Sequence, residues 1–572
     1  MAKKIKNGAN ALIKCLENNG VTHMFGHPGG AAIPIFDALV DSDINFILTR
    51  HEQGATHMAD GFARATGKVG VALVTSGPGA TNTVTGLLTS LMDSVPIIVL
   101  CGQTILPNLG KDAFQEADVF GITTPLVKHS YLVKDANDIP RIVNEAIHIA
   151  TTGRPGPVII DLPKDVTEFQ DFSAPLDAER DLPGYTFPSS GDESKIKEMA
   201  KYLQLASKPL LLIGHGAMIS GAHDEVRKLV EKLQAPVVNT LLAKGVFPET
   251  HDLSMGMLGM HGTAYANKAV HGCDLIFSIG SRWDDRITPK NIERFCPDAV
   301  KLHIDIDPAE INKILTPDVS VVGDAKTVLN QLLPHIKPGN TKDWVETVKK
   351  NKKKFPLKFK KQGGLKAQHV IQELFKISKG NAVVTTDVGQ HQMWAAQFYL
   401  TDKPKHWLSS GGAGTMGYGL PSAIGAQFGC PKAQVITICG DGGFQMTLCE
   451  LATAAIHKLP IKIVILDNKY LGMVRQWQGL FYDNRLSGVD LVGNPDFVKL
   501  AKSYGIKGFR IKRAADVHKI LTQALNYNDG PCLIHAEVVK EDNVFPMIPA
   551  GGAAGDMILG VTKDMKKPEG ST

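Results

Sequence analysis

Three features common in other protein classes are missing from this 572-residue chain. No apolar run reaches the roughly 18 residues that a membrane-spanning helix requires, so we expect no membrane span. The eight cysteines include no CxxC pair, and several stand in apolar runs, which favours reduced core residues in a cytoplasmic protein. The formal net charge is only +5, which gives no reason to expect a nucleic-acid partner.

The N-terminal segment MAKKIKNGANALIKCLENNG is basic but has no continuous apolar core. This pattern predicts an amphipathic helix and argues against a secretory signal. A transit peptide is also not expected, because the first recognisable motif begins by Gly26.

Alternating strand and helix patterns fall into three blocks along the chain. Each block contains short apolar runs beside Gly or Pro, separated by helical patterns, which predicts parallel sheets covered by helices. We therefore predict an α/β protein with three doubly wound domains at residues 1–170, 190–340 and 365–545, followed by a C-terminal tail over 546–572. The runs predicted as strands are VGVALVTS, PIIVLC and PVIID in the first block, LLLIG, PVVNT, DLIFSIG and KLHIDID in the second, and VVTTD, VITICGD, IKIVILD and CLIHAEV in the third.

Two segments between the blocks are predicted as linkers. Residues 171–195 are rich in Pro, Ser, Gly and Asp. Residues 349–362 are strongly basic, and we interpret them as a solvated connector. The first and third blocks have similar lengths and strand patterns, which permits a duplicated fold.

The segment from Val435 to Asn468 carries the strongest chemical signal. One apolar run ends in Gly-Asp441-Gly442-Gly443, and a second ends in Asp467-Asn468, as in a βαβ unit with polar residues at the carboxyl ends of two strands. Ligands of open α/β sheets bind at such ends, and the glycines let backbone N–H groups approach a phosphate. A carboxylate and an amide oxygen beside that phosphate suit Mg²⁺. The alternative is an ordinary βαβ turn whose polar residues occur by chance.

Glu52 stands at a second junction of strand and helix. It follows the apolar run Asn45–Leu48 within the sequence RHEQGA and opens a helical pattern. A carboxylate in this position is most often a charge stabilised by the helix dipole. Beside a phosphate and metal site it could instead take part in acid–base chemistry.

The spacing of the third block resembles the thiamin-diphosphate motif, in which GDG is followed by a pair of asparagines. The first asparagine of that pair is replaced by Asp467, and the metal-binding one falls on Asn468. Along nearly its whole length the chain resembles the catalytic subunits of acetohydroxyacid synthase, also called acetolactate synthase. The departures are His27 where the family often has Tyr, Trp283 where it often has Phe, and a loosely matched tail after Pro549. The segments that carry the resemblance are FGHPGGA, RHEQGA, LVTSGPGATN, KDAFQEAD, GRPGPV, DLPKDV, LGMHGTAYAN, SRWDDR, HIDID, GTMGYGLP and YLGMVRQWQ.

The resemblance implies a thiamin-diphosphate-binding fold with a pyrimidine domain first, an FAD-binding domain in the centre and a diphosphate domain last. The cofactor would lie between the first domain of one subunit and the third of another, in a homodimer or homotetramer with active sites at the dimer interface. Glu52 would be the catalytic acid bonded to the aminopyrimidine ring. The residues implied for Mg²⁺ are Asp441, Asn468 and Tyr470, and those for thiamin diphosphate are Gln390, His391, Gly414, Met416, Gly442 and Gly443.

The resemblance also implies residues that contact the substrates and residues of the central block that bind FAD. Trp477 would contact the ethyl group of 2-ketobutyrate and Arg286 the carboxylate of the second keto acid, with Phe114, Gln115 and Lys164 along the substrate channel. The alternatives are core packing for Trp477 and Met416, and a surface ion pair with Asp284 or Asp285 for Arg286. The residues implied for FAD are Arg154, Gly214, Gly216, Thr240, Leu258, Met260, His261, Gly280, Arg282, Asp305 and Asp324.

The implied activity is decarboxylation of pyruvate and condensation of the hydroxyethyl group with a second pyruvate or with 2-ketobutyrate, in branched-chain amino acid biosynthesis. A small regulatory subunit is a further possible partner. Two rivals remain at this point: a flavin oxidoreductase of the pyruvate oxidase type, and a regulatory homologue without activity. Trp477 and Arg286 argue against the first, and intact Glu52, Asp441 and Asn468 against the second.

Overall fold

The computed structural model describes residues 5–560 and contains three α/β units. Each unit is built on a six-stranded sheet whose strands all pair in parallel. This confirms the predicted fold class. The strands are β1 (His23–Gly26), β2 (Asn45–Leu48), β3 (Gly70–Val74), β4 (Ile97–Gln103), β5 (His129–Leu132) and β6 (Val158–Pro163); β7 (Pro209–Ile213), β8 (Val237–Asn239), β9 (Ser254–Met257), β10 (Leu275–Ile279), β11 (Val300–Asp305) and β12 (Val319–Val322); and β13 (Val383–Thr386), β14 (Trp407–Ser409), β15 (Val435–Gly440), β16 (Lys462–Asp467), β17 (Lys507–Ile511) and β18 (Cys532–Glu537).

Helices cover both faces of every sheet. In the first unit they are α1 (Gly8–Asn18), α2 (Ile33–Val40), α3 (Glu52–Thr66), α4 (Pro78–Thr81), α5 (Val84–Asp93), α6 (Val119–Thr123), α7 (Ile139–Thr151) and α8 (Lys164–Glu168). In the second they are α9 (Glu193–Leu205), α10 (His215–Ile219), α11 (His223–Leu233), α12 (Ala264–Gly272), α13 (Ala325–Leu332) and α14 (Lys342–Lys354). In the third they are α15 (Ala367–Ser378), α16 (Gln390–Phe398), α17 (Gly419–Gly429), α18 (Asp441–Met446), α19 (Leu451–Ile456), α20 (Gly472–Phe481), α21 (Phe497–Ser503) and α22 (Val517–Leu525).

The first and third sheets share one topology. Their strand orders are β2-β1-β3-β4-β6-β5 and β14-β13-β15-β16-β18-β17, which become identical when each unit is numbered from its own first strand. This agrees with the duplicated fold that the sequence permits. The central sheet differs, with the order β12-β11-β10-β7-β8-β9, so the chain reverses direction across the sheet between β7 and β10. Such switch points create the crevices in which α/β proteins bind ligands.

The strands that sequence reasoning missed lie mostly at sheet edges. Every apolar run predicted as a strand overlaps an observed one, whereas β5, β9, β12, β14 and β17 were not predicted, and each of them is the last strand of its sheet. An edge strand is covered less completely, so it needs no continuous apolar run, and β17 accordingly has only Ile511 fully buried. The internal strand β1 was also missed, because HMFG is too short to show a pattern.

Both predicted linkers require correction, the first only at its end, where residues 193–195 open α9. Residues 349–354 form the last turns of α14, which buries Trp344 and Val348, and the extended connector begins only after them. Lys349 pairs with Asp252, and Lys352 donates to the carbonyl of Ser254, so this part of the basic run is attached to the central unit. The helix was not predicted here because only two of its residues are buried and most of the others in this stretch are lysines.

Both ends of the chain and the cysteines agree with the sequence-based expectations as far as the structure describes them. The amphipathic helix α1 buries Leu12, Ile13 and Leu16 on one face. All eight cysteines are free, and most are buried. Part of the predicted tail packs on the central unit through Ile548, whose N–H donates to the carbonyl of Met260, whereas residues 561–572 lie outside the described part. No helix within residues 5–560 is long and apolar enough to cross a membrane.

Candidate active site

A small cavity opens at the switch point of the third sheet, between β13 and β15. Its volume is about 80 Å³, and it lies at the carboxyl ends of the strands, where the first residues of α16 and α18 meet the loop after β16. The cavity brings together residues predicted from distant parts of the sequence. Its lining includes Gln390, His391, Met416, Asp441, Gly442, Gly443, Asn468 and Tyr470.

Asp441 and Asn468 present oxygen atoms to this cavity. Both side chains are buried, and Asn494 donates to Asp441 Oδ2 at 2.7 Å. Burial, and secondarily the neighbouring Asp467 carboxylate, raise the pKa of Asp441 to about 7. A cation would oppose this rise by favouring the charged carboxylate. Within the described residues no cluster of three or more His, Cys, Asp or Glu side chains could hold a metal, so an ion here would also use amide or backbone oxygens, water or the oxygens of a bound molecule.

The remaining polar groups of the small cavity fit a diphosphate. His391 is buried, burial lowers the pKa of its ring to about 3, and its Nε2 has no hydrogen-bond partner, so it is a neutral imidazole with one orphaned atom. A Cβ atom at Gly443 would lie 2.1 Å from Asp387 Oδ1, so only glycine can stand there. Gln390 bonds to the amide of Asn468 at 3.2 Å and orients it. A phosphate–Mg²⁺ pair would satisfy the orphaned imidazole and both oxygen ligands.

A buried carboxylate holds the loop that carries Met416. Asp387 follows β13 and accepts hydrogen bonds from the backbone N–H groups of Val388, Gly417 and Gly419 at 2.8 to 3.1 Å. Burial raises the pKa of Asp387 to about 6 even with these donors. In this loop Met416 is half-buried and faces both the small cavity and a larger one. A methionine that only filled the core would be fully buried and would face no cavity.

The start of the same loop is fixed from the first unit by a buried ion network. Asp93 accepts from the N–H groups of Gly411 and Gly412 at 2.9 and 2.7 Å, and Arg64 bridges Asp93 and Asp60 at 2.8 and 2.6 Å. All three charged side chains are buried. Sequence reasoning missed Asp93 and Asp387, because single acidic residues beside apolar runs show no distinguishing pattern until the loops that they hold are known.

A larger cavity of about 850 Å³ occupies the switch point of the central sheet and extends to the third unit. This volume lies in the range of sites that hold a large organic cofactor. Every residue predicted for the flavin lines it, with the exception of Gly214. Gly214 instead supports the wall, since a Cβ atom there would lie 2.1 Å from the carbonyl oxygen of Gly280.

The chemistry of the large cavity suits a flavin nucleotide. Its lining is more apolar than polar, and its two histidines, His215 and His261, have pKa values lowered to about 4 by burial. The Nδ1 atom of His261 has no partner. Arg154 enters from the first unit and pairs with Asp307 and Glu310 at 3.1 and 2.6 Å, which fixes its guanidinium at the rim. Apolar walls with a few fixed polar groups could hold an isoalloxazine ring and its polar chain.

Trp477 and Arg286 face this same cavity. Trp477 is half-buried on α20, while the preceding Arg475 and Gln476 are buried, so the indole is not a core side chain. Its ring contacts Phe481 at 5.4 Å between centroids. Arg286 forms an ion pair with Asp285 at 3.3 Å, which is the alternative role considered for it from the sequence. Both side chains are largely exposed, and exposed ion pairs are weak. The guanidinium therefore remains available to a carboxylate.

Glu52 lies in the first unit, away from both cavities of its own chain. It is the buried first residue of α3 and accepts a 2.9 Å hydrogen bond from Asn82, and its Oε1 would lie 3.6 Å from a Cβ atom at Gly79. The Gly77–Gly79 loop also contacts the backbone of Gln115. Glu52 and Gln115 thus both lie beside the Gly77–Gly79 loop, but neither lines the cavities that hold Asp441 and Trp477. Of the other predicted channel residues, Phe114 is 89% exposed and Lys164 stands at the start of α8, and neither lines either of these two cavities.

Each of the three units is similar to a domain of one known enzyme family. The thiamine pyrophosphate enzyme family matches the chain in three parts: its N-terminal TPP binding domain at residues 6–122, its central domain at 196–332 and its C-terminal TPP binding domain at 387–536. The first match covers β1 to β4, the second all six strands of the central sheet, and the third begins directly after β13 and reaches β18.

Individual relatives match over nearly the full length. The chain is 47% identical to the acetolactate synthase large subunit of Porphyra purpurea over 575 residues, which covers 98% of this chain and 96% of that protein. It is 47% identical to a probable acetolactate synthase large subunit of Methanocaldococcus jannaschii, covering 98% and 97%. It is 44% identical to the acetolactate synthase isozyme 3 large subunit of Escherichia coli, covering 97% and 99%.

Proposed function

The chain belongs to the acetolactate synthase large subunits of the thiamine pyrophosphate enzyme family, and from this premise we propose which of its residues carry out the reaction. Its function is that of an acetohydroxyacid synthase, which joins the two-carbon unit of pyruvate to a second 2-keto acid. The observation that carries the assignment of residues is the continuity of the two cavities. Met416, Val388, Gly389, Met473 and Val474 line both, so a cofactor held by its diphosphate in the small cavity would extend into the cavity that holds Trp477 and Arg286.

The third unit would hold the charged end of the cofactor. Asp441, Asn468 and Tyr470 would bind Mg²⁺, while the orphaned His391 Nε2 and the backbone N–H groups of Gly442 and Gly443 would face the diphosphate. Met416, which lines both cavities, would support the ring system of the cofactor. When bound, thiamin diphosphate supplies the electron sink that decarboxylation of a 2-keto acid requires.

Acid–base chemistry would come from Glu52 of the partner subunit. Within one chain this carboxyl group reaches neither cavity, and it would complete the site in a homodimer or in a homotetramer built from such dimers. Exposed apolar side chains near Gln115, such as Phe114 and Phe120 at 89% and 53% exposure, would be covered by that contact. Gln115, Phe114 and Lys164 would then border the substrate channel. The carboxyl proton of Glu52 would be shared with a ring nitrogen of the aminopyrimidine.

Arg286 and Trp477 would select the acceptor. The guanidinium of Arg286 would bind the carboxylate of the second keto acid, and the indole of Trp477 would contact its alkyl group. We propose pyruvate and 2-ketobutyrate as acceptors, FAD in the large cavity, a small regulatory subunit as a further partner and a cytoplasmic location. The free, mostly buried cysteines support a reducing compartment.

The function is tested by incubating the purified protein with pyruvate, thiamin diphosphate and Mg²⁺. Acid treatment converts 2-acetolactate into acetoin, which a colour reaction quantifies, and the Glu52→Gln variant is the control for cofactor chemistry alone. Acetoin that requires the enzyme supports the function. Acetate formed together with reduction of an added electron acceptor, and without acetoin, would instead indicate an oxidase of the pyruvate oxidase type.

The preference for the larger acceptor is expected to depend on Trp477. Trp477→Leu should lower the ratio of 2-aceto-2-hydroxybutyrate to 2-acetolactate by about 10-fold, because the contact with one extra methylene is worth about 1–3 kcal/mol. The measurement supplies both keto acids together and quantifies both products after a short incubation. Phe481→Leu is the matched control, since that ring contacts Trp477 but lines neither cavity. An unchanged product ratio with a lower total rate would make Trp477 a packing residue.

The large cavity is expected to retain a flavin through purification. The protein should be yellow, with an absorption spectrum of bound flavin, yet acetolactate formation should need no external electron acceptor. Arg282→Ala, which removes a cation from the cavity wall, should weaken flavin retention more than the exposed substitution Lys197→Ala on α9. A colourless protein that is fully active after complete flavin extraction would contradict the assignment of this cavity.

A further inference from the structure

A buried carboxylate of the third unit contacts the segment of the first unit that carries Glu52. Glu450 lies just before α19 and is completely buried. Its Oε1 accepts from the backbone N–H groups of Arg50 and His51 at 3.0 and 3.1 Å. Its Oε2 accepts from Arg50 N–H at 3.2 Å and from the Thr453 hydroxyl at 2.6 Å. One side chain therefore holds the two residues that directly precede Glu52.

The fit between the two units at this point is close. A Cβ atom at Gly54, two residues beyond Glu52, would lie 2.3 Å from Glu450 Oε1. Glycine at this position allows the first turn of α3 to approach the carboxylate. Burial raises the pKa of Glu450, and the donors from Thr453, Arg50 and His51 oppose that rise. Moving the carboxylate away would leave the N–H groups of Arg50 and His51, which are partly buried, without their side-chain acceptor, and this loss favours a shift of the backbone.

We infer that Glu450 is a positioning residue, which sets the position of the Glu52 carboxyl group by fixing the backbone at Arg50 and His51. The inference rests on the proposed role of Glu52 as the acid of the active site. Glu450 also lies nine positions after Asp441 in the same chain segment, so this segment connects the metal site of one active centre to the acid that serves another. A displacement of about 1 Å in a reacting group can cost about 10²-fold in rate, so a fixed backbone here has a large effect.

The variants separate positioning from packing. Glu450→Ala removes all of these hydrogen bonds. Glu450→Asp keeps the charge but withdraws the carboxylate by about 1.5 Å, the length of one C–C bond. Glu450→Gln keeps an oxygen where Oε1 accepts from Arg50 and His51, and its amide nitrogen can donate to the Thr453 hydroxyl oxygen. Thr453→Val is the matched control, because it removes the hydroxyl's bonds to Glu450 and to the Leu48 carbonyl but leaves Glu450 bonded to the N–H groups of Arg50 and His51.

The first measurement does not depend on catalysis. Amide hydrogen exchange of the cofactor-loaded protein should show faster exchange over residues 48–54 in Glu450→Ala and Glu450→Asp, and wild-type protection in Glu450→Gln and Thr453→Val. Wild-type protection of residues 48–54 in Glu450→Ala would overturn the inference. If Glu450→Ala does not fold, Glu450→Asp against Glu450→Gln decides in the same way.

The second measurement tests whether Glu450 acts through Glu52. Glu450→Ala and Glu450→Asp should lower kcat by about 10- to 100-fold, with cofactor affinity and the KM for pyruvate nearly unchanged, while Glu450→Gln restores activity. In a Glu52→Gln background, adding Glu450→Ala should cost no more than about two-fold, since the two changes remove one interaction. An equal loss in both backgrounds would overturn the inference and leave the role of Glu52 intact. Full activity of Glu52→Gln alone would instead overturn the proposed role of Glu52.

Discussion

Replacing Glu52 by glutamine is expected to reduce acetolactate formation by about 10²-fold or more, which is the scale of general acid–base effects. Glutamine keeps the shape of the side chain and can still pair with Asn82, which contacts Glu52 at 2.9 Å. It cannot share a carboxyl proton with a ring nitrogen. The loss should therefore appear in kcat, while the melting temperature, the subunit association and the cofactor affinity stay close to the wild type.

The control for this prediction is Glu231→Gln, an exposed glutamate of α11 that pairs with Arg227. It should leave every quantity unchanged. Activity is measured as acetoin after acid treatment, with thiamin diphosphate and Mg²⁺ at saturation. Near-normal turnover of Glu52→Gln at saturating cofactor would show that the carboxyl group has no chemical role.

Replacing Asp441 by alanine is expected to abolish activity through loss of Mg²⁺ and thiamin diphosphate together. Loss of a residue that hydrogen-bonds to a metal ligand typically weakens metal binding about 10- to 100-fold. Loss of the ligand itself should therefore weaken metal binding by more than about 100-fold. Titration of the metal-free protein with Mg²⁺ at fixed thiamin diphosphate, followed by intrinsic fluorescence, measures both affinities.

Two further variants should weaken Mg²⁺ binding less than Asp441→Ala or leave it unchanged. Asn494→Ala removes the amide that contacts Asp441 at 2.7 Å and should give the smaller, 10- to 100-fold, weakening of metal affinity. Asp529→Ala, an exposed change in the same unit, should give none. If Asp441→Ala binds the cofactor with wild-type affinity at every Mg²⁺ concentration, the metal site lies elsewhere.

The fold was predictable from sequence where strands form continuous apolar runs, and short strands such as β14 were missed even though all of their residues are buried. The runs that became β15 and β16 are continuous and apolar because helices cover both of their sides, and Asp441 and Asn468 follow directly from where those runs end. Edge strands such as β5 and β17 gave no such signal, since part of each faces solvent. The helix α14 was hidden for a related reason, because its many lysines mask a narrow buried face.

The contacts that hold the candidate site together could not be predicted in the same way. Glu450 and the Arg50–His51 backbone are 400 residues apart in sequence, and the loop containing Gly411 is fixed by Asp93 of another unit. Each of these acids is a single polar residue in an otherwise ordinary helical pattern. The role of each acid depends on which backbone groups the fold places beside it, and the neighbouring sequence does not reveal those groups.

The division of the site between two chains is tested most directly by combining the two inactive variants. When Glu52→Gln and Asp441→Ala chains are co-expressed and purified as mixed dimers, one of the two sites in each mixed dimer contains an intact Glu52 and an intact Asp441. Isolated mixed dimers should then show about half of the wild-type acetolactate activity, and a randomly paired pool assayed without separation about a quarter, because only half of its dimers are mixed. An activity no greater than that of the two variants purified separately would contradict a site shared between subunits.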